Sequence, residues 1–450
     1  MELQKERLFS NRDLGRLLIP LIIEQLLAVT VGLADSLMVA SVGEAAVSSV
    51  SLVDTVNVLL VNTFSALVTG GAIVTGQLLG MREPDRAQRS AEQLLLFMAA
   101  LSLAVTALMY ALRSCIIHVL FGAVEPDVAA SAEIYFNIVE LSIPFLAVYS
   151  AGAALFRVMG NSKISMQISF VMNLINVAGN AILIFGLRWN VAGVALPTLI
   201  SRVFAAAAVI WLLRDQQLPV HLSRNFRLSY DGPVIRSIVR TGVPNGIEGS
   251  LFQLGKILLL SVASQFGTAS ITANAIGNTI GAFQCLAGNA IGMALITVVS
   301  QCVGQQDYDG VRYYTRKLLL ATYGAMFLTN VVLLSATPLI LSIYHVSAEA
   351  NDLAFQIIWM HGIMSVIFWP MAFTFPQTLR AAGDTAYAMV VSSLSMWLFR
   401  LLLGALLATK GGFGVLGIWM AMFADWFVRI TFFVLRYRSG KWKKMAVSRN

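Results

Sequence analysis

Between about residues 16 and 436, one apolar run follows another, each more than twenty residues long and separated from the next by a polar break. Soluble folds have no use for such a pattern. A helix crossing the hydrocarbon of a bilayer needs about 20 apolar residues, and in lipid a lone segment can satisfy its own backbone only as a helix. Twelve runs are read, at roughly 16–40, 45–79, 92–113, 131–156, 163–186, 191–213, 238–263, 269–303, 317–342, 354–378, 386–408 and 414–436. The alternating ten-residue segments of a membrane barrel are not seen. Composition agrees: of 450 residues, 58% are hydrophobic and 12% charged, against about 25% charged in soluble domains. The sequence predicts an all-α polytopic membrane protein of twelve spans.

The net charge is +8, but the basic residues sit in short segments between runs and form no continuous face, which argues against nucleic acid. With the N-terminus inside the cell, 24 of the 31 Lys and Arg fall on the cytoplasmic side and 3 (Arg113, Arg188, Lys410) outside. The positive-inside rule then places both termini in the cytoplasm. The first run contains Glu24 and Asp35 and follows a segment of mixed charge, so it reads as a permanent span and not a signal peptide. Cys115, Cys285 and Cys302 are an odd number without paired spacing, which indicates neither a disulfide framework nor a metal site.

The chain is internally duplicated. At an offset of 224 residues, Ile19-Pro20 matches Val243-Pro244, Ile23-Glu24 matches Ile247-Glu248, and Gln77 and Gly80 match Gln301 and Gly304. At 223, Phe156-Arg157 with Gly160-Asn161-Ser162 matches Leu379-Arg380 with Gly383-Asp384-Thr385; Gly193 then matches Gly417. Two halves of six spans entering the membrane in the same direction are parallel repeats, an arrangement that in transporters surrounds a cavity near the midplane. The predicted organisation is an N-terminal lobe at 1–213, a cytoplasmic linker at 214–237, and a C-terminal lobe with a basic tail at 238–450. The two pseudo-symmetric lobes are expected to enclose a central cavity.

Charges within spans mark candidate functional positions. They are Glu24, Asp35, Asp54, Glu140, Glu248, Asp425, Arg202, Lys256, Arg400 and Arg429. Asp425 and Arg429, one turn apart, read as a local ion pair, and Arg202 as a snorkelling side chain. Asp35, Asp54, Asn180 and Thr198 share a depth of roughly 7–14 Å below the outer surface, with Asn176 a turn deeper. One carboxylate, two amide carbonyls and a hydroxyl are hard oxygen ligands suited to a small cation. Hydrogen bonds bridging neighbouring helices are the alternative. At the same offsets the second half has Leu259, Asn278, Phe399 and Leu403 for Asp35, Asp54, Asn176 and Asn180. Only the first half therefore carries this set.

Glu24 and Glu248, by contrast, occur in both halves. Each is a candidate to line a substrate cavity, carrying a proton or meeting a cationic substrate, or else to cap the polar gap left by Pro20 or Pro244. Lys256 lies two turns from Glu248 and could neutralise it; His361, alone in span 10, is a further cavity candidate, although such a histidine is more often a hydrogen-bonded core residue. No catalytic triad, Walker loop or metal-protease signature is present. An enzyme is not expected, and without a nucleotide-binding domain uphill transport would draw on an ion gradient.

These residues resemble bacterial members of the multidrug and toxic compound extrusion (MATE) family along essentially the whole chain. The likeness lies in Pro20 fifteen residues before Asp35, Asn176 four before Asn180, and Thr198 eighteen after Asn180. The two loop motifs ending in Gly160-Asn161-Ser162 and Gly383-Asp384-Thr385, and the segment Phe185-Gly186 to Val191-Ala192-Gly193, add to it. The resemblance implies drug–cation antiport by alternating access, with Asp35, Asn176, Asn180 and Thr198 as the cation site. Two features depart from the family: some relatives have Asp at the position of Asn180, and many have Glu at that of Phe252. The role of the latter glutamate is not carried over to Glu248.

The expected function is export of organic, cationic or amphipathic compounds from a bacterial cytoplasm across the inner membrane, coupled to Na⁺ or H⁺ with sodium preferred. Asp54 is expected to neighbour the cation site. No cofactor is expected beyond the coupling ion. The expected partners are the small-molecule substrate, the cation and membrane lipid, with the chain acting as a monomer. A lipid-linked oligosaccharide flippase of the same superfamily is the alternative.

Overall fold

The structure, a computed structural model, describes residues 7–120, 122, 125–223 and 229–446. Part of the expected linker (224–228) and, from the charge count, Lys5, Arg224, Arg227 and Arg449 lie outside the described residues. The described residues are almost entirely helical, and twelve helices are long and apolar enough to cross a membrane. The first six are α1 (Asn11–Ala40), α2 (Glu44–Gly80), α3 (Pro84–Ala111), α4 (Pro126–Val158), α5 (Ser162–Gly186) and α6 (Ala192–Leu212). The second six are α7 (Gly232–Ser264), α8 (Thr268–Gly304), α9 (Tyr308–Ser335), α10 (Ala348–Ala381), α11 (Thr385–Thr409) and α12 (Gly414–Ser439). Large apolar side chains such as Leu37, Trp211, Leu328 and Phe427 point outward, as lipid-facing surfaces require.

Hydropathy placed the starts of α3, α7 and α9 too late. Their first turns carry Asp85, Arg86 and Arg89, Arg236, and Arg312 and Arg316. Such charges end an apolar run but not a helix, whose hydrogen bonds are made by the backbone. Span 9, read to residue 342, stops at Ser335, and Pro338 opens a separate short helix, Thr337–Tyr344.

The duplication reappears in the packing. α4 lies against α2, α3 and α6, and α5 against α6; their counterparts α10 with α8, α9 and α12, and α11 with α12, repeat the scheme. It also reappears in the helix ends. Gly160 and Gly383 both take positive φ (80° and 92°). Each closes its helix with the same bonds, Gly160 N to Arg157 O and Asn161 N to Phe156 O at 2.9 Å, and Gly383 N to Arg380 O and Asp384 N to Leu379 O at 2.8 and 3.0 Å. Only glycine adopts this left-handed C-terminal turn without strain, which explains why both halves retain it.

The chain forms two compact units, Gly15–Gly246, and Met1–Leu14 together with Ile247–Asn450. The division falls inside α7, beyond the linker. In the first unit, α7 approaches α2 so closely that a Cβ on Gly70 would stand 2.5 Å from the Gly242 nitrogen. Small residues permit such backbone contact between spans. The first unit has a core around Val53, Phe136, Val139 and Ala195. That of the second is built on Ile276, Ile357, Met422 and Trp426.

Candidate functional site

A cavity of about 390 Å³ opens within the first unit. Asp35 of α1, Asp54 of α2, Tyr135 of α4, Asn176 of α5, and Thr198 and Arg202 of α6 line it. Asn176 and Asn180 share one face of α5 because they are four residues apart, and Thr198 and Arg202 share a face of α6 for the same reason.

Asp35 is the centre of this arrangement. Asn180 Nδ2 donates to Asp35 Oδ1 at 2.9 Å. In the amide orientation that satisfies both its ends, Asn176 Nδ2 donates to Asp35 Oδ1 and Oδ2 at 2.9 and 3.1 Å, and its carbonyl accepts from Thr198 Oγ1 at 3.0 Å. The four residues expected to converge are thus brought together. Their polarity differs from expectation: both amides turn N–H groups, not carbonyls, toward the carboxylate. The reason is electrostatic, since a carboxylate has only acceptors to offer. Asn180 Oδ1 is buried without a hydrogen-bond partner. Turning the amides over would add their carbonyl oxygens to Asp35 and the Thr198 hydroxyl, a donor set that fits a hard cation such as sodium.

The same cavity holds groups whose roles the sequence did not disclose. Tyr135 OH donates to Asp54 Oδ1 at 3.2 Å. Arg202 does not snorkel: it lines the cavity and its Nη1 donates to Ser142 Oγ at 2.7 Å. Its positive field falls on Asp54, Glu140 and Asp35. Both carboxylate oxygens of Glu140 are buried without hydrogen-bond partners. An arginine beside two aspartates leaves the cavity wall with less net negative charge than the acids alone suggest.

The paired glutamates each have an arginine partner. Arg157 Nη1 donates to Glu24 Oε1 at 3.2 Å, and Ser165 Oγ to Glu24 Oε2 at 2.8 Å. In the other unit, Arg380 Nη2 donates to Glu248 at 2.6 and 2.8 Å. Arg380, and not Lys256, therefore neutralises Glu248. Both arginines were counted as loop charges; removing them leaves the asymmetry of the basic residues intact. The signal that could have revealed these pairs is that each half kept both partners.

Asp425 and Arg429 form the expected ion pair at 2.7 Å, fully buried. His361 is buried, bonded through Nδ1 to Gln284 and edged by Trp419 and Trp426. Lys256 has no ion-pair or hydrogen-bond partner among the described residues, and Arg400 touches the Phe252 ring at 5.3 Å.

The register between the halves needs one correction. Gly193 packs on Leu183 as Gly417 packs on Leu407, so the offset is already 224 there. Between Gly383 and that point α11 contains a π segment, Met396–Leu402, and a π turn accommodates one extra residue. Positions 399 and 400 both lie inside that segment, so the counterpart of Asn176 falls at Phe399 in the 223 register and at Arg400 in the 224 register.

The MatE family model matches this chain twice, over residues 20–182 and 244–406. The chain belongs to the MATE transporter family. It is 27% identical over 433 residues to the uncharacterized transporter YisQ of Bacillus subtilis (strain 168), covering 94% of this chain and 93% of that one. It is 24% identical to YoeA of the same organism, described as a probable multidrug resistance protein, over 97% of this chain and 95% of that one. Against NorM of Thermotoga maritima, described in the same words, identity is 23% over 97% and 94%. The fold matches a crystal structure of MATE in the straight conformation with TM-score 0.89 at 17% identity, covering 96% of this chain and 97% of that one. An outward-facing multidrug resistance MATE transporter matches at 0.87 and 17% identity, over 97% of both chains. This MATE protein is a multi-pass membrane transporter.

Proposed function

We propose that this MATE transporter is an antiporter that exports organic, cationic or amphipathic compounds in exchange for a cation, with sodium as the coupling ion and Asp35 as its carboxylate. The observation that carries this reading is the convergence of Asn176 and Asn180 on Asp35, with Thr198 bonded to Asn176, at the wall of a cavity that Asp35, Asn176 and Thr198 line. A sodium ion leaving water exchanges its hydration oxygens for the Asp35 carboxylate, the Thr198 hydroxyl and the amide carbonyls as these rotate. A proton needs Asp35 alone, so the two ions compete for one position. Neutralising Asp35 by either ion releases the amide donors now held by it and alters the contacts among α1, α5 and α6. Such a coupling between ion occupancy and helix contacts is what alternating access requires. We place both termini in the cytoplasm of a bacterial inner membrane, from the basic segments between spans, and the working unit as a monomer. Dye efflux from proteoliposomes under an imposed sodium gradient, compared with a pH gradient, tests the proposal. Efflux that responds to neither gradient overturns it.

A further inference from the structure

In the second unit the balance of charge within the spans is reversed. Both acids in the interior of these spans are already taken, Glu248 by Arg380 and Asp425 by Arg429. Lys256 and Arg400 remain; neither forms an ion pair with a carboxylate among the described residues, although Asp425 lies near enough to act on Arg400. Arg400 sits where helices converge. Its guanidinium lies over the Phe252 ring of α7 at 5.3 Å, and Arg429 of α12 approaches the same ring at 5.8 Å. Its field reaches His361 of α10 and Cys285 of α8. Lys256 follows Phe252 by four residues on α7 and so shares its face.

An independent observation concerns hydrogen-bond donors. The indole N–H groups of Trp397 and Trp426 are buried with no acceptor. Trp397 precedes Arg400 by one turn on the π segment, and both tryptophans belong to the aromatic cluster that includes Phe252, Phe373 and Phe423. Buried donors are normally satisfied, and one without a partner in the protein calls for an explanation, of which a bound group is one. Asp425 Oδ2 is also buried without a hydrogen-bond partner, so what is in surplus here is positive charge, with Lys256, Arg380, Arg400 and Arg429 against Glu248 and Asp425.

We propose that the interior of the second unit around Arg400, Lys256 and Phe252 binds the anionic group of an amphipathic aromatic substrate. The group is an oxyanion, such as a carboxylate, sulfonate or phosphate ester, which a guanidinium grips with paired hydrogen bonds. The aromatic body packs against Phe252 and its neighbours. This rests on the reading of the protein as an exporter of organic compounds and adds amphipathic compounds bearing an oxyanion to its substrates.

The test uses two dyes with the same xanthene body and opposite charge, fluorescein and rhodamine 6G, titrated against the purified full chain. Arg400→Gln is expected to raise the dissociation constant of fluorescein about tenfold or more while leaving rhodamine 6G unchanged or tighter. Arg400→Lys recovers part of the loss, and Lys256→Met gives a smaller weakening in the same direction. Equal weakening of both dyes, or fluorescein binding that ignores both positions, overturns the proposal. Displacement of fluorescein by phosphatidylglycerol micelles but not by 4-phenylbenzoate also overturns it, in favour of a lipid headgroup. Proteoliposome efflux separates the two readings. Arg400-dependent fluorescein binding without gradient-driven efflux supports the anion site and defeats the exporter reading. Sodium-driven rhodamine efflux with Arg400-independent fluorescein binding does the opposite.

Discussion

Asn180 Nδ2 donates to Asp35 Oδ1 at 2.9 Å, across 145 residues of chain, while the other end of the same amide, Oδ1, is buried without a partner. One rotation of that side chain exchanges a donor for an acceptor beside the carboxylate. Asn180→Ala removes the acceptor and is expected to weaken sodium-driven efflux more than proton-driven efflux, as is Thr198→Ala. Asp35→Asn is expected to abolish both. Lowering the pH should reduce the effect of sodium in the wild type, because proton and sodium meet at one carboxylate. Proteoliposome dye efflux under separate sodium and pH gradients measures all four. Unchanged sodium-driven efflux in Asn180→Ala would leave proton exchange on Asp35 as the better account.

Arg202 adds a fixed positive charge to the same cavity. A unit charge near a partly buried carboxylate is worth on the order of 1–2 kcal/mol at an effective dielectric of ~20. Arg202→Gln is therefore expected to lower the sodium concentration for half-maximal efflux by roughly tenfold. If that concentration does not move, Arg202 acts only as the donor to Ser142.

The two glutamate–arginine pairs are expected to be structural. Removing one partner of a buried pair costs about 3–5 kcal/mol because the other charge stays behind. Glu24→Ala and Glu248→Ala should each lower the unfolding temperature in detergent, and neutralising Arg157 or Arg380 in the same chain should restore part of it. A changed range of exported dyes at constant stability would instead make these glutamates part of the substrate path.

Helix packing offers a sharper contrast. Gly70→Leu forces side-chain atoms into the Gly242 backbone and is expected to destabilise the protein strongly. Gly324→Ala, where nothing lies within 4 Å of the new Cβ, should be neutral or gain up to about 1 kcal/mol from helix propensity. Thermal unfolding of the two variants checks the pair of expectations together.

Topology can be read with thiol reagents. Asp85→Cys and Asp309→Cys, both exposed, should react with a membrane-impermeant maleimide only from the cytoplasm once Cys115 is replaced by Ser. Native Cys115 is exposed, whereas Cys285 and Cys302 are buried, so Cys115 should be the one labelled from outside. Labelling of position 85 or 309 in intact cells reverses the orientation.

The spans and the repeat were legible because apolar length and recurring Pro and Gly are local properties. Asp35, Asn176, Asn180 and Thr198 stood out because polar groups at one depth in lipid are costly enough to need a reason. What stayed hidden depended on direction and register. Depth alone cannot say which way Arg202 points, so it passed for a snorkelling side chain. Arg157 and Arg380 lie at span ends, where a basic residue is expected on topological grounds, and their acids sit on other helices. The π segment in α11 shifts the comparison of the halves by a single residue, which apolar spacing does not reveal. The amides of Asn176 and Asn180 present N–H groups to Asp35, an orientation set by the neighbouring carboxylate that depth alone does not encode.

The glutamate–arginine pairs also explain how two copies of one bundle came to differ where they do. Changing either member alone strands a charge, and reaching a different pair means passing through that damaged intermediate, so drift at these positions is blocked unless two substitutions arrive together. Asp35, whose counterpart in the second half is Leu259, is held by neutral amides and not by an arginine, so its exchange strands no opposite charge. After duplication, the locked pairs therefore act as the ancestral ruler against which the halves can still be aligned. The unlocked positions were the ones free to acquire opposite polarity, giving one inherited scaffold two chemically distinct interiors.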